Sequence, residues 1–194
     1  MFTGIIKEIG LVHAIQKSHA GIRIFISAKR ILKDLKLGGS MAVNGVCLTA
    51  VEVSNARFCA DLLPETLRDT NMGSLAKGDN VNLEPAMLFM KERIDGHLVS
   101  GHVEGVGTIQ ERKESGNTFS LKIKIPANIK KYAIVKGSIA VDGVSLTIQS
   151  LNRGSVTVAI IPATAKMTTL GIKAVGAVVN LESDLIAKYV ARTE

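Results

Sequence analysis

A chain of 194 residues with 46% hydrophobic side chains can bury one or two cores, yet no run of about eighteen apolar residues occurs, so no membrane span is expected. The net charge of +7 would suit nucleic acid, but seven aromatic residues (five Phe, two Tyr, no Trp) make a poor stacking platform, and the basic surplus reads as solvated surface. The opening Met1-Phe2-Thr3-Gly4-Ile5-Ile6 lacks a basic segment followed by a long apolar one, so no secretory leader is expected; Cys47 and Cys59 then read as free thiols of a cytoplasmic protein.

From Phe2 to Ala14 the chain is rich in apolar residues and predicts a strand. Ile22, Ile24 and Ile26 alternate with Arg23 and Phe25, the period of a strand with one buried face. Ile31, Leu32 and Leu35 among lysines predict one or two amphipathic helical turns. A hairpin follows over 39–53, with Asn44-Gly45 as its two-residue turn, and then a strand over 57–63. Pro64 opens a short helix that closes near Gly73, and a strand covers 80–84. The plan then recurs: strands over 99–112 and 117–125, a helical turn over 126–132, a hairpin over 137–149 about Asp142-Gly143, and strands over 155–161 and 178–182. The last segment, 184–194, predicts a helix capped by Asp184, with Leu185, Ile186, Tyr189 and Val190 as an apolar stripe.

The recurrence is a duplication. Gly39-Ser40-Met41-Ala42-Val43-Asn44-Gly45-Val46-Cys47-Leu48-Thr49 returns as Gly137-Ser138-Ile139-Ala140-Val141-Asp142-Gly143-Val144-Ser145-Leu146-Thr147, identical at eight of eleven positions and 98 residues on. Pro64, Thr66, Thr70, Gly73, Asn82, Leu83 and Glu84 find identical residues at the same offset. Short strands with glycine turns predict a small Greek-key barrel in each half, over 1–97 and 98–183, with 184–194 as a terminal helix.

Alternation along a strand puts Cys47 and Thr49 on one face of the first hairpin, and Ser145 and Thr147 on the matching face of the second. Two copies of a small polar pair suggest a site that uses both. His97 and His102 stand five apart in Gly96-His97-Leu98-Val99-Ser100-Gly101-His102, on opposite faces of a straight strand. With no further ligand spacing, no metal site is expected. Ser100, His102 and Glu104 would share a face, which makes His102 the candidate acid or base. His13 and His19 read as surface residues. No phosphate-binding glycine loop is present.

These stretches, with Glu65-Thr66-Leu67-Arg68, Thr70-Asn71, Val81-Asn82-Leu83-Glu84 and Val179-Asn180-Leu181-Glu182, together resemble the riboflavin synthase family of lumazine-binding repeats over nearly the whole chain. The resemblance implies a mainly β fold of two tandem six-stranded Greek-key barrels plus a C-terminal α-helix. It implies transfer of a four-carbon unit between two molecules of 6,7-dimethyl-8-ribityllumazine, giving riboflavin and 5-amino-6-ribitylaminouracil without metal or organic cofactor. It further implies homotrimers joined through the terminal helices and an active site between unlike barrels of neighbouring subunits; lumazine synthase is a candidate partner on which the sequence itself is silent. A non-catalytic lumazine- or flavin-binding relative of the same fold is the alternative.

Carried onto this chain, the resemblance draws an N-terminal pocket from Gly4, Ile5, Ile6, Cys47, Leu48, Thr49, Asp61, Leu62, Leu63, Pro64, Glu65 and Thr66. The C-terminal pocket takes Gly101, His102, Val103, Lys136, Ser145, Leu146, Thr147, Ile160, Ile161, Pro162, Ala163, Thr164 and Ala165. His102, Ser145, Thr147 and Cys47 are the expected catalytic residues, supported by Phe2, Ser40, Lys136, Asp142 and Asp184. Ala163 stands where the family often has His or Glu, Asp95 where Gly is common, and Pro85 where Arg is usual.

Overall fold

The computed structural model describes residues 1–18, 21–88 and 93–192. Twelve strands form two closed antiparallel barrels of six. The first comprises β1 (Glu8–Ser18), β2 (Gly21–Ser27), β3 (Ser40–Val43), β4 (Val46–Val53), β5 (Arg57–Leu62) and β6 (Asn80–Pro85), ordered β1-β2-β5-β4-β3-β6. The second comprises β7 (Gly105–Ser115), β8 (Thr118–Lys124), β9 (Ser138–Val141), β10 (Val144–Asn152), β11 (Ser155–Ile160) and β12 (Val178–Ser183) in the equivalent order. Closure leaves no free edge along either sheet.

Alternation in the sequence becomes burial. Ile24 and Ile26 of β2 are fully buried, and Val46, Leu48 and Ala50 of β4 face the first core while Thr49 is exposed. Both predicted turns form. Asn44 and Asp142 each take φ 46° and the following glycines φ 80° and 77°, the paired left-handed values that match strand twist in a two-residue hairpin. The helices are short: α1 (Pro64–Asp69), α2 (Ala127–Lys130), α3 (Pro162–Met167) and α4 (Leu185–Val190). The turns expected about Ile31, Leu32 and Leu35 reduce to one 3₁₀ turn, Ile31–Lys33, with Ile31 and Leu32 buried.

Two expectations need correction. The strand expected from Phe2 begins only at Glu8, and the one expected from Val99 only at Gly105. The residues ahead of each are extended arms that pair with one another: Phe2 N–H donates to Val99 O at 2.8 Å and Val99 N–H to Phe2 O at 3.1 Å. The terminal helix spans six residues rather than the whole tail, capped by Asp184 Oδ1 accepting from Ile186 N–H at 2.9 Å. Residues 193–194, His19 and the stretch 89–92 of the first repeat lie outside the described residues. His13 is exposed, as expected, and the two cysteines are free thiols. No described helix is long and apolar enough to cross a membrane.

The barrels meet about a pseudo-twofold axis at their hairpin turns. A Cβ on Gly45 would stand 2.7 Å from Gly143 N, and one on Gly143 2.7 Å from Gly45 N, so only glycine lets the turns touch. Buried asparagines bond across in matched pairs. Asn82 Nδ2 donates to Asp142 O and Asn180 Nδ2 to Asn44 O, both at 2.9 Å; Thr169 N–H donates to Asn82 Oδ1 and Asn71 N–H to Asn180 Oδ1, both at 2.7 Å. The match breaks at one place. Asp142, fully buried, accepts from Asn71 Nδ2 at 2.9 Å and pairs with Lys173 Nζ at 3.2 Å, where the first repeat has neutral Asn44 and Leu75.

Candidate active site

The arms cross over. Gly4 and Gly101 correspond, 97 residues apart. The Gly4 carbonyl accepts from Ser145 N–H at 2.8 Å, in the second barrel, and the Gly101 carbonyl accepts from Cys47 N–H at 2.8 Å, in the first. Ile6 is buried in the second barrel's core, and Val103 packs on the first barrel's core. The expected grouping is therefore exchanged: Gly4 and Ile6 lie with Ser145, while Gly101 and Val103 lie with Cys47. The reason is steric as well as polar. Gly4 and Gly101 have φ 75° and 82°, and a Cβ on either would come within 2.6 Å of the Cβ of Ser145 or Cys47.

Ser145 and Cys47 are half-buried at matched places, each with an exposed threonine two residues on, Thr147 and Thr49. Leu48 and Leu146 between them face the cores. Beyond each hairpin lies a matched rim. Buried Leu62 and Ile160 end their strands, and then Leu63 and Ile161 stand about half exposed ahead of Pro64 and Pro162. Glu65, Thr66, Ala163, Thr164 and Ala165 follow in the first turns of α1 and α3.

Polar chemistry differs between the two. Ser145 Oγ lies 2.7 Å from His97 Nδ1. Burial pushes the His97 pKa down, with the nearby Asp184 carboxylate pulling it partly back, so the imidazole is neutral at neutral pH. In the tautomer protonated on Nε2, Nδ1 accepts from the Ser145 hydroxyl; in the other, Nδ1–H donates to Ser145 Oγ. Nε2 is buried with no partner among the described residues. On a straight strand His97 and His102 would point to opposite faces, and nothing in the spacing shows the contact of His97 with Ser145; the chain bends at Gly101, between the two histidines. His102 is exposed, its imidazole makes no hydrogen bond among the described residues, and it follows the arm that touches Cys47 rather than Ser145.

The remaining candidates scatter. Phe2 is fully buried among Ala42, Val99 and Ala140, with Cys47 packed against the cluster, so it underpins both arms. Ser40 sits opposite Thr49 on β3. Lys136 is exposed, with φ 69°, at the start of the second hairpin. Asp61 is held by Arg23, whose Nε and Nη2 donate to its two oxygens at 2.7 and 2.9 Å; that pairing also holds its carboxyl below the usual range. Asp142 belongs to the barrel interface and not to the Ser145 surface. A cleft of about 420 Å³ opens beside it, lined by Asn44, Asn71, Asp79, Thr169 and Lys173 but by neither Ser145 nor Cys47. Among the described residues no cluster of His, Cys, Asp and Glu is arranged to hold a metal.

Two consecutive segments, 3–86 and 100–184, match the model of the Lumazine binding domain, and the crossing arms lie at the start of both. Riboflavin synthase of Bacillus amyloliquefaciens is 44% identical over 192 residues, covering 99% of this chain and 89% of the relative. The chain belongs to the riboflavin synthase family. The Mycobacterium bovis riboflavin synthase is 44% identical over 196 residues, covering 99% and 97% of the two chains. Among solved structures, LumP complexed with 6,7-dimethyl-8-(1'-D-ribityl) lumazine superposes with a TM-score of 0.84 at 27% identity, covering 94% of this chain and 99% of that one. LumP complexed with riboflavin gives the same values. The family resemblance and the mainly β, two-barrel architecture are thus both borne out.

Proposed function

We propose that the chain is a transferase that dismutates two molecules of 6,7-dimethyl-8-ribityllumazine into riboflavin and 5-amino-6-ribitylaminouracil. The observation that carries the reading is the pair of matched yet unequal surfaces, one with Cys47 and one with Ser145 backed by His97. A reaction between two copies of one substrate suits two copies of one site, and holding both rings in register can remove about 7–11 kcal/mol of a bimolecular barrier. The two lumazine-binding units are residues 1–97 and 98–183, and their surfaces are made of the residues grouped above with the arms exchanged. In its Nε2–H tautomer, neutral His97 takes the Ser145 hydroxyl proton on Nδ1 while Ser145 Oγ takes one from the C7 methyl of the lumazine at the second surface, where Thr147 and Lys136 flank the ring. At the first surface Cys47, Thr49 and exposed His102 face the other lumazine. No metal or organic cofactor is required for this scheme.

The stripe on α4 supports assembly as a homotrimer. Ile186 and Tyr189 are 59% and 68% exposed, so their own barrel does not cover them, and threefold association would bury them. In such a trimer the first surface of one subunit faces the second surface of its neighbour. The two free thiols suit the cytoplasm.

A second reading, lumazine or flavin binding without turnover, is favoured by the likeness to LumP. Incubating the protein with the lumazine separates the two. Riboflavin absorbance rising with one uracil product per riboflavin supports the enzyme, whereas binding without conversion overturns it.

A further inference from the structure

We propose that Glu84 and Glu182 are positioning residues that act across the barrel interface, each clamping the arm that completes the other barrel's site. The inference deepens the reading above and rests on it for the effect on turnover.

Glu84 closes the first barrel at the end of β6 and is 2% exposed. Its Oε1 accepts from Thr3 N–H at 2.6 Å and Thr3 Oγ at 2.8 Å, and its Oε2 from Gly4 N–H at 3.0 Å. Glu182 on β12 repeats the arrangement. Oε1 accepts from Ser100 N–H and Oγ, both at 2.7 Å, and Oε2 from Gly101 N–H at 3.0 Å. Neither carboxylate makes a salt bridge among the described residues. Burying a carboxylate without an ion-pair partner is costly, and an apolar side chain would close a barrel more cheaply. What the arms require is an acceptor on both oxygens. The amide of a glutamine would turn its NH₂ toward the glycine N–H and leave two donors opposed.

The consequence lies one peptide further on. Glu84 holds Gly4 N–H, and the Gly4 carbonyl holds Ser145 N–H in the second barrel. Thr3, held by the same carboxylate, accepts at its carbonyl from His97 N–H at 3.1 Å. A first-barrel glutamate thus sets both members of the Ser145–His97 pair. Glu182, through Gly101, sets Cys47 in the first barrel. Each carboxylate therefore governs the site it does not belong to.

The test uses the full-length protein with Glu84→Ala, Glu84→Gln, Glu182→Ala and Glu182→Gln, the Gln variants serving where an Ala variant does not fold. Amide exchange followed by NMR reads the arms without any need for turnover. The Glu84 variants should speed exchange at Ser145 about tenfold, one hydrogen bond's worth, with Cys47 unchanged, and the Glu182 variants should do the reverse. The rate of lumazine conversion should fall on the order of 10²-fold, in kcat more than in KM, as expected when reacting groups shift by about 1 Å. Exchange that speeds at the variant's own barrel, at both sites equally or at neither overturns the crossed clamp. Crossed exchange with unchanged kcat overturns the positioning role. A wild-type protein that makes no riboflavin refutes the proposed reaction, and the exchange pattern still decides the clamp.

Discussion

The two barrels share a chain plan and differ at the centre of each site. In the second, Ser145 has an imidazole at hydrogen-bonding distance and the interface beneath it carries the Asp142–Lys173 pair. In the first, Cys47 has no hydrogen-bonded histidine among the described residues, and Asn44 and Leu75 stand where the ion pair would be. Backbone scaffolding is thus kept symmetric by the asparagine network and the crossing arms, while chemistry is made unequal by a few side chains. Duplication supplies two matched surfaces; in the proposed reaction, divergence at Cys47/Ser145 and the presence of His97 let them play different parts.

Removing the proton path should expose that inequality most strongly. Ser145→Ala and His97→Gln are each expected to lower kcat by about 10²- to 10⁴-fold, the usual worth of a positioned acid or base, and Cys47→Ala by less. Steady-state kinetics on the three variants checks the ranking, and equal losses would break the comparison. The pH profile sharpens it. Because burial lowers the His97 pKa, protonation that disables the pair begins only below the ordinary value of about 6.5, so the acid limb of kcat/KM should lie under that pH and vanish in His97→Gln.

A smaller effect is expected where a methyl group meets the arms. Gly4→Ala should disturb the second site and Gly101→Ala the first, each by left-handed backbone strain of about 1–2 kcal/mol plus collision with Ser145 or Cys47. Thermal unfolding gives the strain, and titration with riboflavin shows which site weakens. Weakening at the variant's own barrel would contradict the crossing.

How much of this was visible beforehand follows from what each feature depends on. The hairpins were legible because Asn-Gly and Asp-Gly turns and a period of two are local signals, and the duplication extended them to both barrels. The arms were not. An extended segment with a left-handed glycine has no periodicity, and its destination is decided by Glu84, Glu182 and a carbonyl bond to the opposite barrel. For the same reason the sequence does not show that Gly4 reaches Ser145 and Gly101 reaches Cys47, or that His97 is the histidine beside Ser145. The repeat alignment sets Asp142 against Asn44, but Lys173 gives that difference its meaning, and the two lie 31 residues apart in sequence.

The smallest expected effect concerns that pair. Burial holds the Asp142 carboxyl above its usual range, with Lys173 drawing it partly back. The folded state then binds this proton more tightly than the unfolded chain, so its stabilising contribution is fully present below about pH 4 and is lost as pH rises through the folded value. Replacing the pair by its first-repeat counterparts, Asp142→Asn with Lys173→Leu, should remove that slope and leave stability unchanged or raised by about 1 kcal/mol. Urea midpoints between about pH 4 and pH 7 test this, and a slope equal to that of the wild type would contradict it.

The inequality of the two sites is tested most directly by exchanging their defining atoms, Cys47→Ser together with Ser145→Cys. Turnover of the lumazine is the quantity to measure, with riboflavin titration to show that both surfaces still bind. A loss of at least about tenfold in kcat with binding retained is the predicted result, since a thiol differs from a hydroxyl in size, acidity and hydrogen bonding to His97. Unchanged turnover and unchanged affinity at both surfaces would mean that the Cys47/Ser145 difference plays no part in the reaction.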